Sequence, residues 1–302
     1  MTIPGQSIRS LNFSTSQVLG AGIAAGALAL YVWRRGFSGS NASACDTPEA
    51  GNESDEIVLY GFERLSDVVA SFSPYVAKVE AWMRFVGLPY TKRTGSTAKA
   101  PKGQLPYIVH GKNVVADSTL IVKYLLRTYP GMDRRLSPEQ EALSVMMSHF
   151  IENSVYYGLF YHRWIQPQGY ESIKELLLAK APAAAGLLVR YIAGCKIRPH
   201  MKSALHYQGL GRHSEADINF LIDEDLAALS QMLGDKEYLL GRHPCLADAS
   251  AFGFLDNALA SEGVSPEYRH MLAQYSNLVA YTERIRATYF DAELRFEETE
   301  ED

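Results

Sequence analysis

The sequence predicts an α/β domain followed by an all-helical domain, both behind a single apolar helix near the N-terminus. Three observations carry that reading. Residues 57 to 129 run strand, helix, strand, then strand, strand, helix; after Pro138 no strand-like alternation recurs; and Val18 to Trp33, VLGAGIAAGALALYVW, holds no charge.

The bounds agree. At 302 residues, 47% hydrophobic and 21% charged, the chain can bury a sizeable core and suits two domains of ~150 residues each. A net charge of -5 gives no general attraction to polyanions, so nucleic acid is not an expected partner. The cysteines, Cys45, Cys195 and Cys245, are odd in number and widely spaced, which fits neither a disulfide framework nor a zinc site.

Residues 1–16 are polar and Ser-rich and read as a disordered N-terminus. Residues 17–35 read as a transmembrane anchor, slightly short of the ~20 residues that span a bilayer comfortably. Its Gly and Ala content suits a membrane helix, and Tyr31, Trp33 and Arg34-Arg35 form an interface cluster. A cleaved signal peptide is the main rival, because Ala42-Ser43-Ala44 offers a cleavage site, and an organelle transit segment is another; against the signal, Arg9 alone precedes the apolar run and the Arg pair follows it. The same pair places the body on the cytosolic side, a single-pass arrangement compatible with the mitochondrial outer membrane or the endoplasmic reticulum. Residues 36–55, rich in Gly, Ser, Asn and acids, read as a flexible linker.

From Ile57 the run IVLYGF reads as a buried strand, and a helix follows from about Pro74 to Val86, stopped by Gly87-Leu88-Pro89. Tyr90 to Arg93 starts a second strand. Leu105 to Val109 and Asn113 to Val115 flank His110-Gly111-Lys112 as a hairpin, and Asp117 to Tyr129 has helical apolar spacing at Leu120, Ile121, Tyr124 and Leu125. The α/β domain is therefore 56–130 and the helical domain 131–292. Helices are expected near 138–163, 170–179, 182–207, 214–233, 246–260 and 276–288, before an acidic tail at 293–302.

Two local motifs suggest a site. Ser73-Pro74 places a good N-cap and a good first residue at the start of a helix, and a Ser hydroxyl there can either cap the helix or donate to an anion at its positive end. Leu105-Pro106-Tyr107, followed by Asp117-Ser118, sets a proline that can be cis just ahead of a second helix N-terminus. A cis bond would turn the Leu105 main chain outward to pair with an extended peptide. Asp117 or Ser118 can equally be no more than a helix cap.

These stretches, Ser71-Phe72-Ser73-Pro74-Tyr75, Gly103-Gln104-Leu105-Pro106-Tyr107 and Ala116 to Ile121, resemble the glutathione-transferase signature, and the strand order resembles its thioredoxin-like domain. With Y-H-R-W-I (161 to 165), G-L-G-R-H-S (209 to 214), L-L-G-D-K-E-Y-L-L-G and L-A-D-A-S-A-F-G-F-L, residues 56 to 292 resemble the metaxin and failed-axon-connections branch of that superfamily. The resemblance implies a thioredoxin-like N-terminal domain plus an all-α glutathione-transferase C-terminal domain, with glutathione or a related thiol as co-substrate. It implies that Ser73 is the catalytic, thiolate-stabilising hydroxyl and that Leu105, Pro106, Asp117 and Ser118 hold glutathione. It also implies that Tyr75, Arg163, Trp164, Arg212 and His213 line the acceptor side; interdomain packing is the plainer reading of the last four. The other implied role is a non-enzymatic adaptor with mitochondrial protein partners. Familiar metaxins are anchored at the C-terminus, so an N-terminal anchor departs from them. A homodimer fits the resemblance too.

Asp248, three residues after Cys245, resembles the acid of a helix-capping box in which Cys245 stands where Ser or Thr is usual; Ser214-Glu215-Ala216-Asp217 makes a better box. No His-Glu-x-x-His or paired-ligand spacing occurs, so no metal is expected, and Gly-rich nucleotide loops are absent.

Overall fold

Pro74 at the first helical position pre-sets φ for the helix α1 (Pro74–Phe85), and the helix stops where Gly87 turns with φ 69°. The computed structural model describes residues 56–62, 71–131, 136–179, 195, 197–260 and 265–290. The expected anchor at 17–35, the flanks at 1–16 and 36–55, the acidic tail and most of the 182–207 helix lie outside the described residues. No helix among the described residues is long and apolar enough to cross a membrane.

Strands β1 (Ile57–Gly61), β2 (Thr91–Thr94), β3 (Tyr107–His110) and β4 (Asn113–Ala116) form one sheet in the order β2-β1-β3-β4. β1 runs parallel to β2 and antiparallel to β3, and β3 pairs antiparallel with β4 in the register Tyr107↔Ala116. The hairpin turns on Gly111 at φ 55°, a conformation glycine reaches without strain. The strand before it starts at Tyr107 rather than Leu105. Helix α2 (Ser118–Thr128) then packs on the sheet through Ile121, Val122 and Leu125, while Leu120, expected on its inner face, is 46% exposed.

The helical half contains α3 (Pro138–Phe150), a π turn (Ile151–Val155), α4 (Tyr156–Trp164), α5 (Pro167–Ala179), α6 (Arg198–Gln208), α7 (Glu215–Leu233), α8 (Leu246–Ala260), α9 (Pro266–Ala273) and α10 (Ser276–Tyr289). The single helix expected over 138–163 is thus three segments, because Ile151–Val155 winds one residue wider per turn. The α9 helix has no counterpart in the sequence reading, since PEYRHMLA is short and mostly polar.

The two halves meet on α1 and α8. Nearly all of α1 is buried, and so is α8, a helix apolar on most of its circumference. Gly253 lies at their crossing: a Cβ there would stand 2.4 Å from the Pro74 carbonyl oxygen and 2.9 Å from the Lys78 nitrogen. Large buried side chains on the same two helices, such as Trp82, Phe252 and Phe254, each contribute about 1.5–3 kcal/mol by removal from water.

α8 begins with a composite cap. The Asp248 carboxylate accepts from the Cys245 amide at 2.9 Å, the Leu239 amide at 2.8 Å and the Tyr281 hydroxyl at 2.8 Å. The acceptor that Cys245 cannot supply comes from α3 instead: Ser144 Oγ accepts the Ala247 amide at 3.1 Å. Burial pushes the Cys245 thiol up to about 12. Ser214 caps α7 by accepting from the Asp217 amide at 3.2 Å, as its spacing predicts.

Candidate functional site: two helix N-termini

The site starts at Ser73. Its carbonyl accepts from the Val76 amide at 3.1 Å and the Ala77 amide at 3.0 Å, and its own amide donates to Ser71 Oγ at 3.3 Å. Because the Val76 amide is already satisfied, the Ser73 side chain makes no capping bond. The Tyr75 amide has no backbone acceptor among the described residues. Among the described residues, one hydroxyl and one amide are left without partners at the positive end of α1, an arrangement that favours a negatively charged ligand atom.

Leu105-Pro106 is a cis peptide, and neither the amide nor the carbonyl of Leu105 has a hydrogen-bond partner among the described residues. The β3–β4 register sets this loop beside the start of α2, where the Asp117 amide lies 3.4 Å from the Pro106 carbonyl. Asp117 caps α2, its Oδ1 accepting from the Thr119 amide at 3.0 Å and the Leu120 amide at 3.1 Å. It does so at φ 91°, a backbone region that costs a non-glycine residue about 1–3 kcal/mol and concentrates at binding sites. Ser118 is buried, and its amide is unpaired among the described residues.

Beneath these two helix ends lies a charged group that the motif reading passed over. Lys78 of α1, fully buried, donates to Thr119 Oγ1 at 2.9 Å and to Glu152 Oε1 at 2.7 Å. Glu152, carried by the π turn, also accepts from Ser250 Oγ of α8 at 2.8 Å. Burial lowers the Lys78 pKa, with Glu152 and Asp117 opposing that shift. The signal was present in V-A-K-V-E-A-W-M: Lys78 and Glu80 interrupt a stretch otherwise apolar, so at least one had to be buried with a partner. Both are. Glu80 meets Lys92 Nζ at 2.9 Å and accepts from the Tyr90 hydroxyl at 3.0 Å.

The residues expected on the acceptor side separate into two groups. Tyr75 packs edge-on against Tyr156 and Phe254 with centroids 5.2 and 5.3 Å away, and burial raises its hydroxyl far above the usual range, keeping it protonated. Arg163 is buried over the Phe72 ring, 5.1 Å from its centroid, and donates to Asn257 Oδ1 at 3.1 Å; Asn257 in turn donates to the Ser71 carbonyl at 2.6 Å. Burial pulls the Arg163 guanidinium down to about 10. Arg163 therefore buttresses the loop in front of Ser73. Trp164 is half-buried at the end of α4. Arg212 is exposed and donates to the His206 carbonyl at 3.0 Å, while His213 lines a groove with Ser154, Gln208 and Asp225, all of the helical half. Among the described residues, no group of three or more His, Cys, Asp or Glu side chains is placed to hold a metal.

Residues 74–169 match the family described as the glutathione S-transferase N-terminal domain, and residues 222–285 match the glutathione S-transferase C-terminal domain. Failed axon connections of Drosophila melanogaster is 31% identical over 248 residues, which span 79% of this chain and 59% of that longer protein. The isoprene-epoxide glutathione S-transferase of a Rhodococcus species is 30% identical over 240 residues, 77% of this chain and 99% of the enzyme. Mouse metaxin-2 is 25% identical over 229 residues, 75% of this chain and 84% of metaxin-2. Among solved structures, a glutathione transferase from Phanerochaete chrysosporium superposes with a TM-score of 0.55 at 18% identity, covering 78% of this chain and 98% of that one. A Ceriporiopsis subvermispora glutathione S-transferase in complex with glutathione gives 0.52 at 19% identity, covering 76% and 97%. The chain belongs to the glutathione S-transferase superfamily, in its metaxin-like branch.

Proposed function

We propose that the protein is a membrane-tethered glutathione-transferase-like protein that binds glutathione across the two helix ends and conjugates it to small electrophiles. The observation that carries this is the set of groups without a hydrogen-bond partner among the described residues at the two helix ends: Ser73 Oγ and the Tyr75 amide at α1, the Leu105 main chain, and the Ser118 amide at α2. The cysteinyl backbone pairs with Leu105 beside Pro106, the γ-glutamyl carboxylate meets the Ser118 amide, and Asp117 faces the ammonium. Ser73 donates to the thiolate, and the α1 dipole adds about 0.3–1 kcal/mol in its favour. The thiolate attacks an electrophilic carbon, a new C–S bond forms, and in an epoxide the C–O bond breaks; the proton released by the thiol ends on the opened oxygen.

The deciding experiment retains the full-length protein on a glutathione resin and assays thioether formation with a small epoxide. Retention and turnover carry the reading; absence of both overturns it. Residues 17–35 are the proposed anchor, with the body on the cytosolic side of the mitochondrial outer membrane or the endoplasmic reticulum. A fusion of residues 1–55 to a fluorescent protein tests that placement.

A second reading rests on the metaxin-2 likeness, which covers most of metaxin-2. In it the body is a non-enzymatic adaptor whose surface recognises mitochondrial proteins or a second copy of itself. Mitochondrial partners that co-purify with a chain indifferent to glutathione would establish it.

A further inference from the structure

We propose that Lys78 is a positioning residue for the glutathione cleft, acting through the Thr119 hydroxyl to hold the first turn of α2 in place, with Glu152 as its counter-charge from the helical half. This deepens the transferase reading and rests on it.

Three segments converge on one ammonium. α1 supplies Lys78 and, at its N-terminus, the thiol end of the cleft. α2 supplies Thr119, the residue after Ser118 at the γ-glutamyl end. The π turn supplies Glu152, whose carboxylate is steadied by Ser250. A local π winding is the kind of departure that recurs at functional sites, and here it carries the carboxylate that pairs with Lys78.

Stability alone does not explain this arrangement. A buried ion pair is commonly no more stabilising than apolar side chains of the same volume. A cation at a helix N-terminus is also unfavourable, and Lys78 sits against that end of α2. Facing it are Glu152 from the π turn, Asp117 and Lys123 from α2, with Tyr75 on its own helix beside the same carboxylates. What the ammonium does accomplish is geometric. It fixes Thr119 relative to α1, and Thr119 is part of the same turn whose amides Asp117 caps. It also offsets the Asp117 charge where the peptide's carboxylate must approach.

Thr119→Val removes the hydroxyl at nearly constant volume and leaves the Lys78–Glu152 pair intact, so the fold survives where Lys78→Met could fail to fold. The full-length protein is titrated with glutathione by calorimetry, and steady-state constants are measured for glutathione and for the epoxide. Thr119→Val is expected to weaken glutathione binding and raise its KM by about tenfold, the equivalent of roughly 1.4 kcal/mol. The epoxide KM and kcat hold steady, the melting temperature falls by no more than the few degrees that one lost buried hydrogen bond costs, and Thr119→Ser restores the glutathione constants and the melting temperature. Unchanged glutathione binding in Thr119→Val overturns the proposal while leaving the transferase reading standing. So does an equal loss in both variants with a lowered melting temperature, which would mark Thr119 as structural. A wild-type protein that neither binds nor conjugates glutathione overturns both readings together.

Discussion

Gly253 of α8 lies against Pro74 of α1 so closely that a methyl group there would stand 2.4 Å from the Pro74 carbonyl oxygen. That carbonyl belongs to the first turn of α1, so this approach of α8 supports the turn that carries the Ser73 hydroxyl and the Tyr75 amide. Gly253→Ala forces the backbones apart and is expected to cost about 1–3 kcal/mol. Urea unfolding measures the loss, and glutathione retention should fall with it because the α1 N-terminus shifts.

Ser73→Ala separates chemistry from capping. The hydroxyl makes no bond to the helix, so its removal is expected to leave the melting temperature within a few degrees. A hydrogen bond to a thiolate is worth about 1.5–3 kcal/mol, so kcat/KM for conjugation should fall roughly ten- to hundredfold. Thiol-conjugation kinetics across a pH series check it.

The start of α8 offers a rescue experiment. Ser144→Ala removes the acceptor of the Ala247 amide and is expected to cost about 1 kcal/mol, the usual worth of a helix cap. Cys245→Ser in that background places a hydroxyl at the N-cap itself and should recover most of the loss. Asp248→Ala strips two amides, a thiol and a hydroxyl of their shared buried acceptor and should cost about 3–5 kcal/mol. Chemical denaturation of the three variants checks the order.

His162 makes stability depend on pH. Burial lowers its pKa, outweighing Glu267, Asn219 and Glu215, which pull the other way. The folded state therefore binds its proton less readily than the unfolded chain. The stabilisation is complete above the unfolded value near ~6.5 and is lost as pH falls through the folded one. Wild-type urea midpoints should fall more steeply below about pH 6.5 than those of His162→Gln.

The local chemistry was open to reading along the chain. Ser73-Pro74, Leu105-Pro106 and Asp117-Ser118 each act within a few residues, and strand and helix periods depend only on neighbours. Asp248 was legible as a cap for the same reason, but Ser144, the hydroxyl that completes it, lies on another helix. Arg163 and Asn257 were likewise joined only by folding.

The sequence by itself determined the two-part architecture and the two helix ends, and its family resemblance pointed to a cis bond before Pro106. Only the tertiary structure decided how the cleft is held. The partnership of Lys78 with Thr119 and Glu152 depends on contacts between residues far apart in the chain, and on a π winding that no residue period announces. A buried charge must find its counter-charge wherever the packed chain presents one, and sequence spacing carries no record of that choice.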